Sequence, residues 1–264
     1  MDIMQSIWLG IVQGLTEFLP VSSSGHLVLL QKIFGITTTG PQFEAFSVLL
    51  HGGTLIAVIL IYWRRIWNMI CHPIQSELPL LVVATIPAVI AALVFDFDEA
   101  FRGEYLGFSF LITTLILWLA DLVGGLAPKR KQVGWGNAIT MGIFQAVAIL
   151  PGISRSGATI SAGVGTGLSR KRAADFAFLM SIPAILGSIV LSFINGNFRL
   201  IPQLFADSVA PALAGAGAAL VSGLLAVLLM LAILRRVRLT WFGLYTGVLG
   251  VLILLDQYLF HYIF

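Results

Sequence analysis

The segment Gln13-Gly14-Leu15-Thr16-Glu17-Phe18-Leu19-Pro20-Val21-Ser22-Ser23-Ser24-Gly25-His26 decides how this chain is read. It sets a carboxylate, an imidazole and three serine hydroxyls inside a sequence that is otherwise oily. Polar groups are expensive in hydrocarbon, so a cluster of them marks a site by default. The surroundings are those of a bilayer: of 264 residues, 58% are hydrophobic and only 10% charged, against about 25% charged in soluble domains. Mean hydropathy is +0.99. Several apolar runs have the length of spanning helices, and none alternates like a membrane β-strand. The expected class is an all-α polytopic membrane protein.

Working outward, residues 3–19 are apolar but interrupted by Gln13, Glu17 and Pro20, and residues 27–34 are too short to cross. Together they read as a re-entrant hairpin with Ser22 to Gly25 at its tip. Irregular backbone at membrane depth is tolerated where it lines a cavity within the protein. Spans are expected over residues 43–63, 78–95 (kinked at Pro87), 105–126, 173–194, 209–234 and 241–262. An acidic loop follows the second span, with Asp96, Asp98, Glu99 and Glu104 against Arg102. Residues 136–167 form a second hairpin, broken at Pro151-Gly152-Ile153-Ser154-Arg155-Ser156-Gly157.

The net charge of +3 and a pI near 9.2 do not point to nucleic acid. The basic residues sit in short clusters beside apolar runs, the positive-inside pattern. Arg64/Arg65, Lys129 to Lys131, Arg170 to Arg172 and Arg235 to Arg238 can all be cytoplasmic only if the hairpin of residues 136–167 enters and leaves on the same side. That gives about six spans and two re-entrant hairpins, with both termini outside. The single cysteine, Cys71, excludes an internal disulfide and carries no metal-ligand spacing. Asp2 and the missing basic n-region argue against a cleavable signal.

A repeat runs through the chain. Gly10-Ile11-x-Gln13 recurs as Gly142-Ile143-x-Gln145, Ser22-x-Ser24-Gly25 as Ser154-x-Ser156-Gly157, Ala45-Phe46 as Ala177-Phe178, and Pro79 as Pro211. The displacement is 132 residues each time, half the chain. The chain is expected to be one membrane domain with pseudo-repeat halves of about 1–132 and 133–264. One hairpin and three spans per half make the crossings odd, so the halves invert relative to each other. Inverted repeats place their sites near the midplane on broken helices, and the two tips are expected to meet there.

Ser/Gly segments that open a helix present N–H groups and a positive dipole end to phosphate-like anions. On that ground Ser22, Ser24, Gly25, Ser154, Ser156, Gly157 and Thr159 are expected substrate-binding residues, and Arg155 adds a fork suited to phosphate oxygens. Gln13 and Glu17 share a helical face, and with Glu44 they offer oxygens to a hard divalent cation, Mg2+ or Ca2+. His26 follows Ser23 by three residues and could exchange a proton with a hydroxyl nucleophile. Bland readings stand beside these. Gln13 could simply bond across helices, Ser22 and Ser24 could be caps, His26 could cap a helix, and Glu44 could be interfacial. His51-Gly52-Gly53 reads as small-residue packing, and Asp121 and Asp175 as interfacial groups paired with nearby basic residues.

The segment from Gln13 to His26 and the segment Pro151-Gly152-Ile153-Ser154-Arg155-Ser156-Gly157-Ala158-Thr159 closely resemble the motifs of the bacitracin-resistance family of undecaprenyl-diphosphate phosphatases. The likeness extends over the chain, through Phe43-Glu44 and Trp63-Arg64-Arg65. It implies removal of the terminal phosphate of a C55 polyprenyl diphosphate, divalent-cation dependence, bacitracin resistance and recycling of the lipid carrier for cell-wall synthesis. It also implies a bacterial cytoplasmic (inner) membrane location, a site open toward the outer face and a polyprenyl diphosphate lipid as partner; the sequence itself leaves the oligomeric state open, a homodimer included. Gln13 stands at the first position of the family's Glu/Gln-x-x-x-Glu motif, and the loops between spans are short. The catalytic set expected is Glu17, Ser23, His26 and Arg155, with Ser23 as nucleophile activated by His26 or Glu17, or a water positioned by the same groups. The rival is an inverted-repeat transporter or flippase for an anionic or lipid substrate, which would need no nucleophile-like hydroxyl beside a base.

Overall fold

The computed structural model describes residues 1–36, 40–95, 103–124, 130–196, 209–234 and 237–264. Its first helix, α1 (Ile3–Phe18), opens on a capping box: the Asp2 side chain accepts from the Gln5 N–H at 2.7 Å, and the Gln5 side chain accepts from the Asp2 N–H at 3.0 Å. It ends because Pro20 disfavours helical backbone at the residue before it, and Leu19 is extended. Next come α2 (Ser23–Ile33), α3 (Gly40–Cys71), α4 (Leu78–Val94) and α5 (Leu106–Gly124). The second half gives α6 (Trp135–Val147), α7 (Arg155–Gly165), α8 (Arg170–Ile194), α9 (Ala210–Ile233) and α10 (Leu239–Leu255), the last running into a π-helical turn, Asp256–Phe260. No strand occurs among the described residues.

Among the described residues, five helices are long and apolar enough to cross a membrane: α3, α5, α8, α9 and α10 with its π-helical turn. The remaining expected span is α4, 17 residues with Pro87 inside it, about 25 Å long at 1.5 Å per residue and so near the lower limit for a crossing. Their outward faces are apolar, as lipid requires: Ile56, Leu60 and Trp63 on α3, or Leu225, Leu228 and Leu229 on α9, are all at least half exposed. The polar side chains Gln13, Glu17, Ser22, His26, Ser154 and Ser156 are buried instead.

Helix starts at Ile3, Ser23 and Leu78 recur at Trp135, Arg155 and Ala210, the displacement seen in the sequence motifs. Thr114 and Thr246, separated by the same 132 positions, bond hydroxyl to hydroxyl at 2.9 Å. Packing crosses between the halves: α1 lies chiefly on α9, α6 on α4, and α5 on α10. Glycines permit this closeness, since a Cβ on Gly10 would sit 2.2 Å from the Gly215 carbonyl oxygen, and one on Gly142 would sit 2.4 Å from that of Ala84.

The described members of the basic clusters gather at one end. Arg65 of α3 and Arg172 of α8 both pair with Glu77. Arg170 pairs with Asp121 at 2.6 Å, and the other oxygen of Asp121 accepts from the N–H and hydroxyl of Thr240, at 2.9 and 2.8 Å. Asp175 accepts from the Tyr62 hydroxyl at 2.8 Å. Arg130 exchanges backbone hydrogen bonds with Gly167 and Ser169. Asp96, Asp98, Glu99, Arg102, Lys129, Arg235 and Arg236 lie outside the described residues.

Candidate functional site

The two hairpin tips meet. The Ser156 hydroxyl donates to the Leu19 carbonyl at 2.8 Å, and a Cβ on Gly25 would lie 3.0 Å from Gly152 Cα. Each tip is capped in the same way: the Ser22 hydroxyl accepts from the Gly25 N–H at 3.3 Å, and the Ser154 hydroxyl from the Gly157 N–H at 3.0 Å. Next to these, Ser24 lies 3.4 Å from Ser22 and Ser156 lies 3.3 Å from Ser154, hydroxyl to hydroxyl. The tips differ in backbone. Ser22 has φ +69°, uncommon for a residue with a Cβ. A strain of about 1–3 kcal/mol is typical of such positions. The N–H and Nδ1 of His26 both reach the Ser22 carbonyl, at 3.2 and 2.6 Å, and hold the tip in place. Its partner Ser154 is in the ordinary extended region.

Glu17 is the centre of the junction and is only 5% exposed. Its Oε2 accepts from the Ser23 hydroxyl at 2.6 Å and from Gln13 Nε2 at 2.8 Å. Its Oε1 pairs with Arg155 of the opposite hairpin. From α3, His51 Nε2 stands 3.5 Å from Oε2. A buried carboxylate without such partners would be untenable in hydrocarbon. Arg155 Nη1 donates at 3.4 Å to the carbonyl of Ser181 on α8, which fixes the guanidinium between two helices.

The other predicted residues are placed as follows. Gln13 is fully buried, and its Oε1 has no partner among the described residues. Thr159 bonds back to the carbonyls of Arg155 and Ser156, at 2.8 and 3.3 Å. The Ser154 N–H donates to Thr113 at 3.0 Å and the Gly157 N–H to Ser154, so the first-turn N–H groups of α7 left for a ligand are those of Arg155 and Ser156. Glu44 lies on an exposed face of α3, seven residues before His51 and so about 10 Å away along the axis. Glu17, His51 and Glu44 do not converge. No three His, Cys, Asp or Glu side chains form a metal-sized group among the described residues.

His26 is not brought against Ser23. Its Nδ1 faces the Ser22 carbonyl at 2.6 Å and its Nε2 faces the Tyr245 hydroxyl at 2.7 Å. The ring stacks on Tyr245, with centroids 5.7 Å apart, and meets the edge of Phe110. Ser23 faces Glu17 instead. The cause is local: Ser23 opens the first turn of α2, so its hydroxyl points back toward α1, whereas His26 lies further round the helix, toward α5 and α10.

Two contributors were not anticipated as site residues. His51 had been grouped with Gly52 and Gly53 as packing. Gly53 does pack tightly, 2.4 Å from the Ala216 carbonyl for an added Cβ, but the imidazole turns to Glu17. A lone imidazole in the apolar stretch 45–63 was the available signal. Tyr245 carries no such signal, because an aromatic near a span end looks like an interfacial anchor.

A helical chain with several helices fit to cross the bilayer that buries a carboxylate, a hydroxyl and a guanidinium between two broken helices is a polytopic membrane protein with a buried polar centre. The profile of the family described as bacitracin resistance protein BacA matches residues 6–252, and the chain belongs to that family. An undecaprenyl-diphosphatase of Carboxydothermus hydrogenoformans is 46% identical over 97% of this chain and 98% of its own length. One of Christiangramia forsetii is 37% identical over 98% of this chain and 99% of its own. Undecaprenyl-diphosphatase 3 of Bacillus cereus is 39% identical over 98% of each.

Proposed function

We propose that this protein is an undecaprenyl-diphosphatase, hydrolysing the terminal phosphate of the C55 lipid diphosphate so that the carrier re-enters cell-wall synthesis and bacitracin loses its target. The observation that carries the reading is Glu17, which receives the Ser23 hydroxyl on one oxygen and the Arg155 guanidinium on the other. A hydroxyl bonded to a buried carboxylate is a nucleophile beside its base. A guanidinium at the same place binds the phosphoryl group under attack.

Ser23 Oγ attacks the terminal phosphorus while its proton passes to Glu17 Oε2. The bond from phosphorus to the bridging oxygen breaks, and the lipid monophosphate leaves with the electron pair. Glu17 gives that proton to the departing monophosphate oxygen, and water then displaces the phosphate from Ser23, passing its own proton through the freed Glu17 to the Ser23 oxygen, which leaves as a hydroxyl. Arg155 and the N–H groups of Arg155 and Ser156 hold the non-bridging oxygens. His26, tied to Ser22 and Tyr245, keeps the strained tip in register and so positions Ser23.

The donor set fits the divalent cation that the family resemblance implies. Glu17 and Gln13 offer oxygens one helical turn apart, and Gln13 Oε1 is buried without a partner among the described residues. Together with the Ser23 hydroxyl and phosphate oxygens, these would hold Mg2+ or Ca2+. Such an ion offsets the charge that develops in phosphoryl transfer.

His51 lies fourteen residues from Arg65 along α3, about 21 Å from the basic end, and eleven from Gly40, about 16 Å from the other. This supports a site near the midplane of the cytoplasmic membrane. We take the basic end as cytoplasmic, the halves as inverted, and the site as opening to the outer face, where Lys32 sits over the ring of Phe264. A homodimer is the assembly we assign, to be tested by light scattering in detergent. The deciding experiment for function is phosphate release from undecaprenyl diphosphate by purified protein. Turnover by wild type, lost in Glu17→Gln, supports the reading, and equal turnover by both overturns it.

A further inference from the structure

A groove of about 470 Å³ lies between α3, α4 and α8, away from the polar junction. Its walls include Ile70 of α3, Val82, Ile86 and Ile90 of α4, and Leu186 of α8, all of them exposed. Thr85 is the one polar side chain on the lining, and its hydroxyl turns back to the Leu81 carbonyl at 2.7 Å. The walls therefore offer water nothing to bond to, and hydrocarbon is what they suit. From Leu78 to Ile90 the groove follows α4 for twelve residues, about 18 Å, close to the depth of one leaflet of a hydrocarbon core about 30 Å thick.

The Leu78 end of the groove is basic. Arg65 and Arg172 share the single carboxylate of Glu77, the residue before Leu78. Each guanidinium carries five N–H donors, so both keep donors for a phosphate after Glu77 is engaged. Arg64 and Lys171, next to them in the chain, are exposed, and Arg170 is matched by Asp121. Four cations thus face two carboxylates, Glu77 and Asp175, and the second of these already accepts from the Tyr62 hydroxyl. Basic pockets between transmembrane helices take anionic head groups.

We propose that this groove seats one acyl chain of an anionic phospholipid from the leaflet at the basic end, with the lipid phosphate at Arg65 and Arg172. A zwitterionic lipid brings a cation of its own to the same cluster and gains less there. The seated chain lies along Leu179 and Ile182 of α8, to either side of Ser181, whose carbonyl receives Arg155.

The test is native mass spectrometry of the full-length protein in detergent, with dioleoylphosphatidylglycerol or dioleoylphosphatidylcholine added. Wild type is expected to hold the phosphatidylglycerol at least about fivefold more tightly, the increment of one basic contact, and to lose that preference as ionic strength rises. Arg65→Gln should reduce the preference, and Ile86→Trp, which fills the groove, should weaken phosphatidylglycerol binding. Leu225→Trp, on the lipid face of α9, should leave both lipids as in wild type. The salt titration needs no substitution, so it decides the matter even where a variant does not fold. Equal retention of the two lipids by wild type, or undiminished phosphatidylglycerol binding in both Arg65→Gln and Ile86→Trp, overturns the site. Undecaprenyl phosphate displacing phosphatidylglycerol at equal concentration gives the groove to the lipid of the reaction and overturns the occupant. Each of these results leaves the phosphatase reading standing.

Discussion

Arg155 closes on the carboxylate of Glu17 from 138 positions away in the chain, so each hairpin supplies what the other lacks. The acid, hydroxyl and imidazole belong to the first hairpin, the guanidinium to the second. The equivalent of Glu17 at the 132-residue displacement is Ile149, and that of Ser23 is Arg155 itself.

Arg155→Lys tests the clamp. A lysine keeps the charge but loses the fork that grips two oxygens. The kcat/KM for undecaprenyl diphosphate is expected to fall at least about tenfold, some 1.4 kcal/mol. An unchanged value would remove Arg155 from phosphate binding.

Ser23→Ala tests the nucleophile. Turnover should drop by at least about a hundredfold, and acid-quenched wild type should contain phosphoserine at position 23. Near-normal turnover by the alanine variant would assign the attack to water.

EDTA should abolish phosphate release, and Mg2+ or Ca2+ should restore it. Activity that survives exhaustive chelation would leave Glu17 with the role of base alone.

Helix contact gives a stability prediction. Gly10→Val forces a side chain into the Gly215 backbone and should cost about 1–3 kcal/mol or more, read as a lower unfolding temperature in detergent. Gly217→Ala, in the same helix pair but with open space around it, should be neutral or stabilising by about 0.4–1 kcal/mol. Equal effects would mean that α1 and α9 do not pack this closely.

Orientation can be read with a Cys71→Ser background, since the native thiol is exposed. Lys131→Cys should react with an impermeant maleimide only after the cells are opened, and Lys32→Cys should react in intact cells. The reverse pattern would invert the topology.

Much of this was legible in the residues. Both hairpins followed from polar or Pro/Gly breaks inside apolar runs, and four short matches at one displacement foretold that the tips would be neighbours. The pairing of Asp121 with Arg170 followed from position near a basic cluster. What stayed hidden depends on rotation about helix axes in tertiary packing. Which way His26 turns relative to Ser23 is set by Phe110 and Tyr245, and no local pattern encodes that. His51 was missed because the glycines beside it offered a sufficient explanation.

The exchange of partners, α1 on α9 and α6 on α4, bears on how the protein is made. When α1 leaves the ribosome its packing face is still unsynthesised, because α9 begins only at Ala210. At about 5–20 residues per second, roughly 10–40 s of translation separate the two. Glu17 lacks Arg155 for roughly the first 7–27 s of that interval, and α1 lacks α9 until its end. The α1–α9 contact therefore closes only after most of the chain has been translated.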